Sequence, residues 1–488
     1  MKIIKEIPDN WQWVTLTEIG SWGSGGTPNR TNGDYYGGNI PWLKIGDLHD
    51  GYIVEAETSI TDLGLSNSSA KIIPPGTLLV AMYGSIGKLG ITRIECATNQ
   101  AIAFCHVNEE IVDKRFALYY LRLARGELVE LGQGGGQQNI SQTILKAFPM
   151  PIAPLHEQRR IVEKLDTLFA RLDKGEESVR EVQKLLTRYR QSVLKSAVTG
   201  QLTTEWRAQR EGVLEHGHDH FAAIQEARQT LWSGRYKKPV TAATSDMPDL
   251  PDHWTWASLA SLIYNGPTNG TSPKASNTGE GVKSFKLTAT TSGHFIIDEN
   301  TIKVVGAVIE PDSKYWLKSG DVLVQRGNTI EYVGTAAIFP GPDNEYIYPD
   351  LMMRLRFTDE LMARWAVAWI NFEFAKRYFR KNATGTAGNM PKINGTTLKA
   401  LAVPIPPRHE IEECMRLIDE AEAKHRPLEQ FCETELKRSA SLRQSILKDA
   451  FTGRLVPQDP NDEPASTLLA RIASEKAPTK KPRRKVSA

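Results

Sequence analysis

Apolar side chains recur with a four-three alternation over one long stretch of the chain. From Ile161 the series runs Leu165, Leu168, Leu172, Gly175, Val179, Val182, Leu186, Tyr189, Val193 and Ser196, broken only at the glycine and the serine. That spacing predicts a long helix with a coiled-coil stripe. Pro154 stands where a helix start tolerates proline, and Gly200 where a helix end favours glycine. Such a helix spans roughly 65 Å at about 1.5 Å per residue. A weaker stripe follows Cys414, Ile418, Ala421, His425, Leu428, Cys432, Glu435, Ser439, Leu442 and Ile446. Pro427 falls within it, beside the counterpart of Gly175, which predicts a bend near the middle of both helices. Each stripe could be buried in its own domain. Pairing of the two is favoured, because they match in length and no other long heptad run exists to partner either.

The segments before each stripe, about 1–150 and 247–403, have another texture. Short β-rich runs at 77–82, 321–325 and 351–357 alternate with clusters of Gly, Asn, Ser and Thr. These predict α+β domains with long polar loops. Small amphipathic helices are expected after each long one, on Phe221, Ile224, Ala227 and Leu231 and on Leu468, Leu469 and Ile472.

The chain is also written twice. Trp11-Gln-Trp13 and Trp254-Thr-Trp256 lie 243 residues apart, and Gly76-Thr-Leu-Leu-Val80 and Gly320-Asp-Val-Leu-Val324 lie 244 apart. Pro151-Ile-Ala-Pro154 with Pro404-Ile-Pro-Pro407, Gln191-Ser-Val-Leu194 with Gln444-Ser-Ile-Leu447, and Thr199-Gly-Gln-Leu202 with Thr452-Gly-Arg-Leu455 all share an offset of 253. The drift in the first part of each copy marks loops that tolerate length change. The constant offset marks an element whose span matters. The expected fold is therefore α+β with a pseudo-two-fold internal repeat: two similar globular domains separated by two long antiparallel coiled-coil helices. Its segments are a domain at 1–153, a long helix at 154–200, a linker with a short helix at 201–246, a second domain at 247–403, a second long helix at 404–453, and a short helix with a basic tail at 454–488.

Composition narrows the class. The 488 residues are 40% hydrophobic and 24% charged, with a formal net charge of +3. That supports several packed domains and does not by itself announce a nucleic-acid or membrane-surface protein. Cys96, Cys105, Cys414 and Cys432 form no C-x-x-C pair, and no apolar run suits a signal peptide or membrane span, so a soluble cytoplasmic protein is expected. Catalytic patterns fail as well. Gly84-Ser-Ile-Gly-Lys88 lacks phosphate-loop spacing, and there is no G-x-S-x-G elbow. The Asn/Asp-Pro-Pro-aromatic motif of amino-methyltransferases is absent. Glu422-Ala-Lys424 and Glu435-Leu-Lys437 read as solvated helix charges, and His216-Gly-His218-Asp-His220 as an exposed polar loop. No catalytic residue and no metal site is expected. The chain reads as a binder.

At this point a family resemblance enters. Pro151-Ile-Ala-Pro-Leu-His-Glu-Gln-Arg-Arg-Ile-Val-Glu-Lys-Leu-Asp166, and Tyr189-Arg-Gln-Ser-Val-Leu-Lys-Ser-Ala-Val-Thr-Gly-Gln-Leu202 followed by Trp206-Arg207, resemble the signature of specificity (S) subunits of type I restriction–modification systems. Both are repeated more divergently in the second copy. Gly84-Ser-Ile-Gly87 after its strand, and Gln138-Asn-Ile-Ser141, fit the family's target-recognition domains. Glu157-Gln158 becomes Glu410-Ile411 in copy two, and Asn139-Ile-Ser141 becomes Lys392-Ile-Asn394.

The resemblance implies that each recognition domain reads one half of a split site in double-stranded DNA, with the helices as a ruler for the unread base pairs between. It implies two methyltransferase (M) subunits carrying S-adenosylmethionine, and restriction/translocase (R) subunits using ATP with Mg. The chain itself would hold no cofactor. Residues 1–150 carry 12 basic and 15 acidic side chains and residues 247–403 carry 16 and 15, so affinity must come from locally placed groups. Arg can bridge guanine edges, and Asn or Gln adenine edges. The DNA-binding candidates in the first domain are Arg30, Asn32, Tyr35, Lys44, Ser85, Lys88, Gln137, Gln138 and Asn139. Those in the second are Arg326, Asn328, Thr329, Glu331, Tyr332, Tyr348, Asn389 and Lys392. The rivals are a coiled-coil adaptor that binds protein instead of DNA, and a self-sufficient restriction–methylation enzyme.

Overall fold

The computed structural model describes residues 4–133, 139–210, 215–245, 247–276, 278–385 and 390–476. Gln137, Gln138, Asn389 and the basic tail fall outside them. The fold is α+β. It resolves into two compact units, one made of residues 1–180 with 433–488 and the other of residues 181–432. The boundary runs through both long helices, Leu155–Val198 and Arg408–Phe451, so each helix serves as a core element of both units.

Unit 1 has a five-stranded sheet in the order Gly20–Ser24, Ile102–Val107, Leu78–Ala81, Leu89–Thr92, Gly51–Ile53. All its pairs are antiparallel except the last. A four-stranded sheet and the pair Gln12–Thr15 with Pro149–Ile152 complete the β structure. Unit 2 repeats the plan with Ile263–Asn269, Met352–Phe357, Val322–Gln325 and Ala336–Ile338 in one antiparallel sheet, a three-stranded sheet, and the pair Thr255–Ser258 with Ala402–Ile405. The registers correspond: Trp13 faces Pro151 in one pair, and Trp256 faces Pro404 in the other.

The helix signals act as read. Gly200 and Gly453, just past the two helix ends, take φ of +73° and +69°, a left-handed turn open to glycine. The second helix runs uninterrupted through Pro427. Within unit 1 the helices are antiparallel, with Arg443 on Asp173 at 2.6 Å and Ser439 on Glu176 at 2.6 Å. Within unit 2 they are antiparallel again, with Arg190 on Glu422 at 3.1 Å. The apolar seam is not continuous, however. Ile161, Leu165 and the off-seam Phe169 are buried in the core of unit 1, and Ala197 and Val198 in that of unit 2. Val182 and Tyr189, between them, are 42% and 50% exposed. The helix ends are thus domain-core helices; between them Leu186 is still buried and Tyr189 lies against His425 with ring centroids 4.5 Å apart, and ion pairs such as Arg190–Glu422 add to the pairing.

Each core is closed by the far end of the other long helix. Phe451 packs on Phe116 and Tyr120 in unit 1, with ring centroids 4.8 and 5.3 Å apart. At the equivalent place in unit 2 the smaller Val198 shares a core with the larger Trp365 and Trp369. Tyr120 donates its hydroxyl to the Pro149 carbonyl at 2.6 Å, and Trp369 donates its indole N–H to the Ala402 carbonyl at 2.6 Å.

The 216–220 histidine cluster is not the exposed loop expected from its polarity. It opens the helix Gly217–Leu231, and His220 is buried, its Nδ1 3.0 Å from the Pro406 carbonyl. Burial lowers its pKa. Among the described residues no group of three or more His, Cys, Asp or Glu side chains gathers as for a metal, and no helix is long and apolar enough to cross a membrane.

Candidate nucleic-acid interface

In unit 1 the strands Leu78–Ala81 and Leu89–Thr92 are joined by a turn whose Gly84 and Gly87 take φ of +65° and +76°. Side chains with a Cβ resist that conformation, so the glycines set the turn. Ala81 donates to the Lys88 carbonyl at 2.8 Å and Ser85 to the Tyr83 carbonyl at 2.7 Å, which tightens it. Arg125 holds it from behind through Nε on the Gly87 carbonyl at 2.8 Å, while its Nη2 pairs with Asp50.

A second segment is pinned beside this turn. Ile140 donates its N–H to the Met82 carbonyl at 2.9 Å. Asn139 and Gln133 exchange backbone hydrogen bonds of 3.0 and 2.8 Å. Ser141 then caps the helix Gln142–Ala147, accepting the Ile144 N–H at 3.2 Å.

Unit 2 builds the same arrangement from different side chains. Ile393 donates to the Arg326 carbonyl at 2.8 Å, and Thr384 and Lys392 exchange backbone bonds of 2.9 Å each. Asn394 caps the helix Gly395–Ala400 through the Thr397 N–H at 2.8 Å. Gly327 pairs with Lys392 much as Tyr83 pairs with Asn139. A Cβ on Gly327 would lie 3.1 Å from the Lys392 side chain, so the two segments approach closely there. The change from Ser141 to Asn394 keeps the cap, since both side chains accept at a helix start. The change from Gln158 to Ile411 does not keep its bonds. Gln158 joins the Ile111 and Ala153 carbonyls at 3.0 and 2.8 Å, whereas Ile411 is buried as an apolar residue.

These platforms gather part of the candidate set. Ser85 is exposed and Lys88 and Asn139 are partly exposed at the first; Arg326 and Asn328 are partly exposed, and Thr329, Glu331, Tyr332 and Lys392 exposed, at the second. The Arg326 backbone is fixed on both sides, its N–H on the Leu351 carbonyl at 2.8 Å, and its Nη1 reaches the Asp350 carbonyl at 3.4 Å. Asn328 donates to the buried Gln325 at 2.6 Å, and Gln325 donates onward to Thr290 at 3.0 Å, which anchors the turn in the core. Hydrogen bonds from Thr329 and from its own backbone hold the Glu331 carboxyl below its usual range.

Arg30, Asn32, Tyr35 and Lys44 lie elsewhere, and among the described residues no hydrogen bond or ion pair joins them to the 82–88 turn. Arg30 is exposed, Asn32 caps a helical turn through the Asp34 N–H at 3.0 Å, and Lys44 sits 3.9 Å from Glu57. The Tyr35 carbonyl accepts the Thr61 N–H at 3.0 Å. Tyr348 is corrected to a core residue. Its side chain is fully buried and its hydroxyl donates to the Thr268 carbonyl at 3.1 Å, so it presents no edge to a ligand. Burial pushes its pKa up to about 12. Tyr83, 38% exposed at the first turn, was missed, although an aromatic between a strand and Gly84 was the available signal.

Comparison with known proteins follows the same lines. Residues 8–180 match the model of the type I restriction modification DNA specificity domain. The chain is 25% identical over 457 residues to the type I restriction enzyme EcoKI specificity subunit of Escherichia coli (strain K12), covering 90% of this chain and 89% of that protein. It is 27% identical over 496 residues to the EcoDI specificity subunit of Escherichia coli, covering 97% and 96%. A solved chain from a study of complex assembly and conformational transition of the type I R-M system shares the fold with a TM-score of 0.55 at 18% identity, covering 93% of this chain and 100% of that one.

Proposed function

This chain belongs to the DNA specificity subunits of type I restriction–modification systems, and we propose that its two platforms each read one half of a bipartite site. It is the specificity component of such a complex and not its catalytic one. The observation that carries the split-site reading is the twice-built platform: Met82 with Ile140 in unit 1, and Arg326 with Ile393 in unit 2, joined by the same backbone bond. The frame is repeated while the side chains it presents differ, as two readers of different half-sites require.

In this reading Ser85, Lys88 and Asn139, with Gln137 and Gln138 of the adjoining segment, face one half-site. Arg326, Asn328, Thr329, Glu331, Tyr332 and Lys392, with Asn389, face the other. Arg30, Asn32, Tyr35 and Lys44 border the first. The 154–200 and 404–453 helices serve as the spacer and as the dock for two methylating subunits, which bring S-adenosylmethionine and receive the flipped adenine. Restriction subunits using ATP with Mg complete the assembly, which works in the cytoplasm.

The test maps N6-methyladenine in DNA from cells that express this chain with its methylating partner. A single split motif is expected. Exchanging residues 1–150 for those of another specificity subunit should alter one half of that motif alone; a change in both halves would defeat the reading, and no motif at all would favour the protein-binding adaptor.

A further inference from the structure

After the helix Gly217–Leu231 the chain reads Trp232-Ser-Gly-Arg-Tyr-Lys-Lys-Pro-Val240. Residues 227–245 hold four basic side chains and no acidic one. In unit 2 this segment walls a groove of about 630 Å³ together with the start of the strand Ile263–Asn269. Arg235, Lys237, Lys238 and Lys399 line it and no carboxylate does. Among the described residues none of these four forms an ion pair.

Arg228 organises the groove from beneath. Its side chain is 2% exposed, with Nε on the Ile263 carbonyl at 2.8 Å and Nη1 on the Tyr236 hydroxyl at 2.5 Å. The guanidinium lies 4.4 Å from the Trp232 ring centroid and 4.9 Å from that of Tyr236, which fixes the basic segment in place. Carbonyls, a hydroxyl and ring faces hold this charge, but no carboxylate neutralises it. Its field adds to that of the four outer cations.

Five cations around one groove call for more negative charge than one small anion brings. A DNA duplex supplies a phosphate charge about every 1.7 Å along its axis. Position supports the same occupant. Lys399 lies on the helix Gly395–Ala400, whose cap Asn394 directly follows the Lys392–Ile393 stem of the second platform. Lys399 at the groove is thus seven residues along the chain from Lys392 of the platform.

We infer that this groove clamps the DNA sugar–phosphate backbone beside the half-site of unit 2, adding affinity without sequence preference. The inference rests on the DNA-reading function proposed above. It is tested with the variant R235A/K237A/K238A/K399A in the full chain assembled with its methylating partner. Affinity for a duplex carrying the mapped motif, and for a scrambled duplex of equal length, is measured across a range of salt.

The slope of log affinity against log salt should become shallower by about 3–4, at about 0.9 per lost phosphate contact. Affinity should fall by the same factor on both duplexes, and the methylated motif should stay the same. The milder R235A/K237A, at two exposed positions, should change the slope by about 2. An unchanged slope overturns the inference, as does a loss confined to the motif duplex, which would make the groove a base reader. Loss of the methylating subunits from the variant assembly, seen by mass, overturns it in favour of a protein dock. If the unmodified assembly does not distinguish the two duplexes, the half-site reading fails instead, while the slope still reports on the groove.

Discussion

Trp254 donates its indole N–H to Glu410 at 2.9 Å, and the carboxylate that receives it is fully buried. Thr203 at 2.6 Å and Arg207 complete its shell. In unit 1 the counterpart is Trp11 on Glu157 at 3.1 Å, with Gln458 donating at 2.5 Å where a cation stands in unit 2. One acid is bonded directly by a cation and the other by amide and indole donors, with Arg160 acting on it only through its field while bonded to Asp462. Burial accordingly raises the Glu157 pKa.

The two acids should therefore respond differently to neutralisation. Glu410→Gln keeps the shape but strands the Arg207 charge and should cost about 3–5 kcal/mol. Glu157→Gln keeps the shape and a neutral acceptor, and should cost about 1 kcal/mol. Urea unfolding of the two variants measures both; equal costs would show that charge is not what separates the sites.

Lys376 gives a pH-dependent prediction. Its ammonium is buried beneath the second platform, donates to the Thr335 hydroxyl, and has Glu373 and Arg380 as charged neighbours. Burial first, then Arg380, lowers its pKa to about 7, against about 10.4 for an unfolded lysine. Only well above the unfolded pKa of about 10.4 is the amine largely neutral in both states, and there burial carries little penalty. As pH falls from there to 7 the unfolded chain takes up the proton first, so stability drops, and below 7 the loss is constant. Lys376→Met should raise the denaturation midpoint at pH 6–7, with a gain that shrinks toward pH 10.

Arg326 and Tyr348, both candidates from the sequence, stand apart in role. Arg326→Ala should relax one base-pair position in one half of the methylated motif, a loss of about 1–3 kcal/mol of discrimination. Tyr348→Phe should leave the motif unchanged and cost about 1 kcal/mol of stability, for the lost bond to Thr268. Methylation mapping and thermal unfolding separate the two.

Gly334 lies in the second turn with φ of +77°, and a Cβ there would stand 2.2 Å from the Phe379 ring. Gly334→Ala should destabilise unit 2 by about 2–4 kcal/mol from backbone strain and overpacking together. Calorimetry of the variant chain reads this directly.

Much of this plan was written in one dimension. Offsets of 244 and 253 correctly paired Leu78–Ala81 with Val322–Gln325 and Pro149–Ile152 with Ala402–Ile405, because strands and caps demand local residue types. The Pro154 and Gly200 signals bracketed Leu155–Val198 to within two residues. Tertiary burial was harder to read. Heptad spacing cannot tell an interhelical contact from a helix end sunk in its own domain, so Phe169 was overlooked and Val182 overvalued. Tyr348 sits among polar-looking neighbours, yet Tyr346 and Tyr348 line a small core with Phe285 and Phe339. In the His216–His220 run, His216 and His218 are exposed as their polarity suggests, whereas His220 is buried against the Pro406 carbonyl, 186 residues away in sequence.

The closure of each core by the opposite long helix has a consequence for biosynthesis. Unit 2 is one contiguous stretch, 181–432, whereas unit 1 needs residues from both 1–180 and 433–488. A ribosome working from the amino end must finish the middle of the message before Phe451, Leu468 and Ile472 emerge to seal the first domain. Until then Phe116 and Tyr120 wait without their cap. Translation order and folding order are therefore inverted: the part made first is completed last, and a transcript truncated before residue 433 leaves it with a half-built interior, exposed to chaperones and proteases.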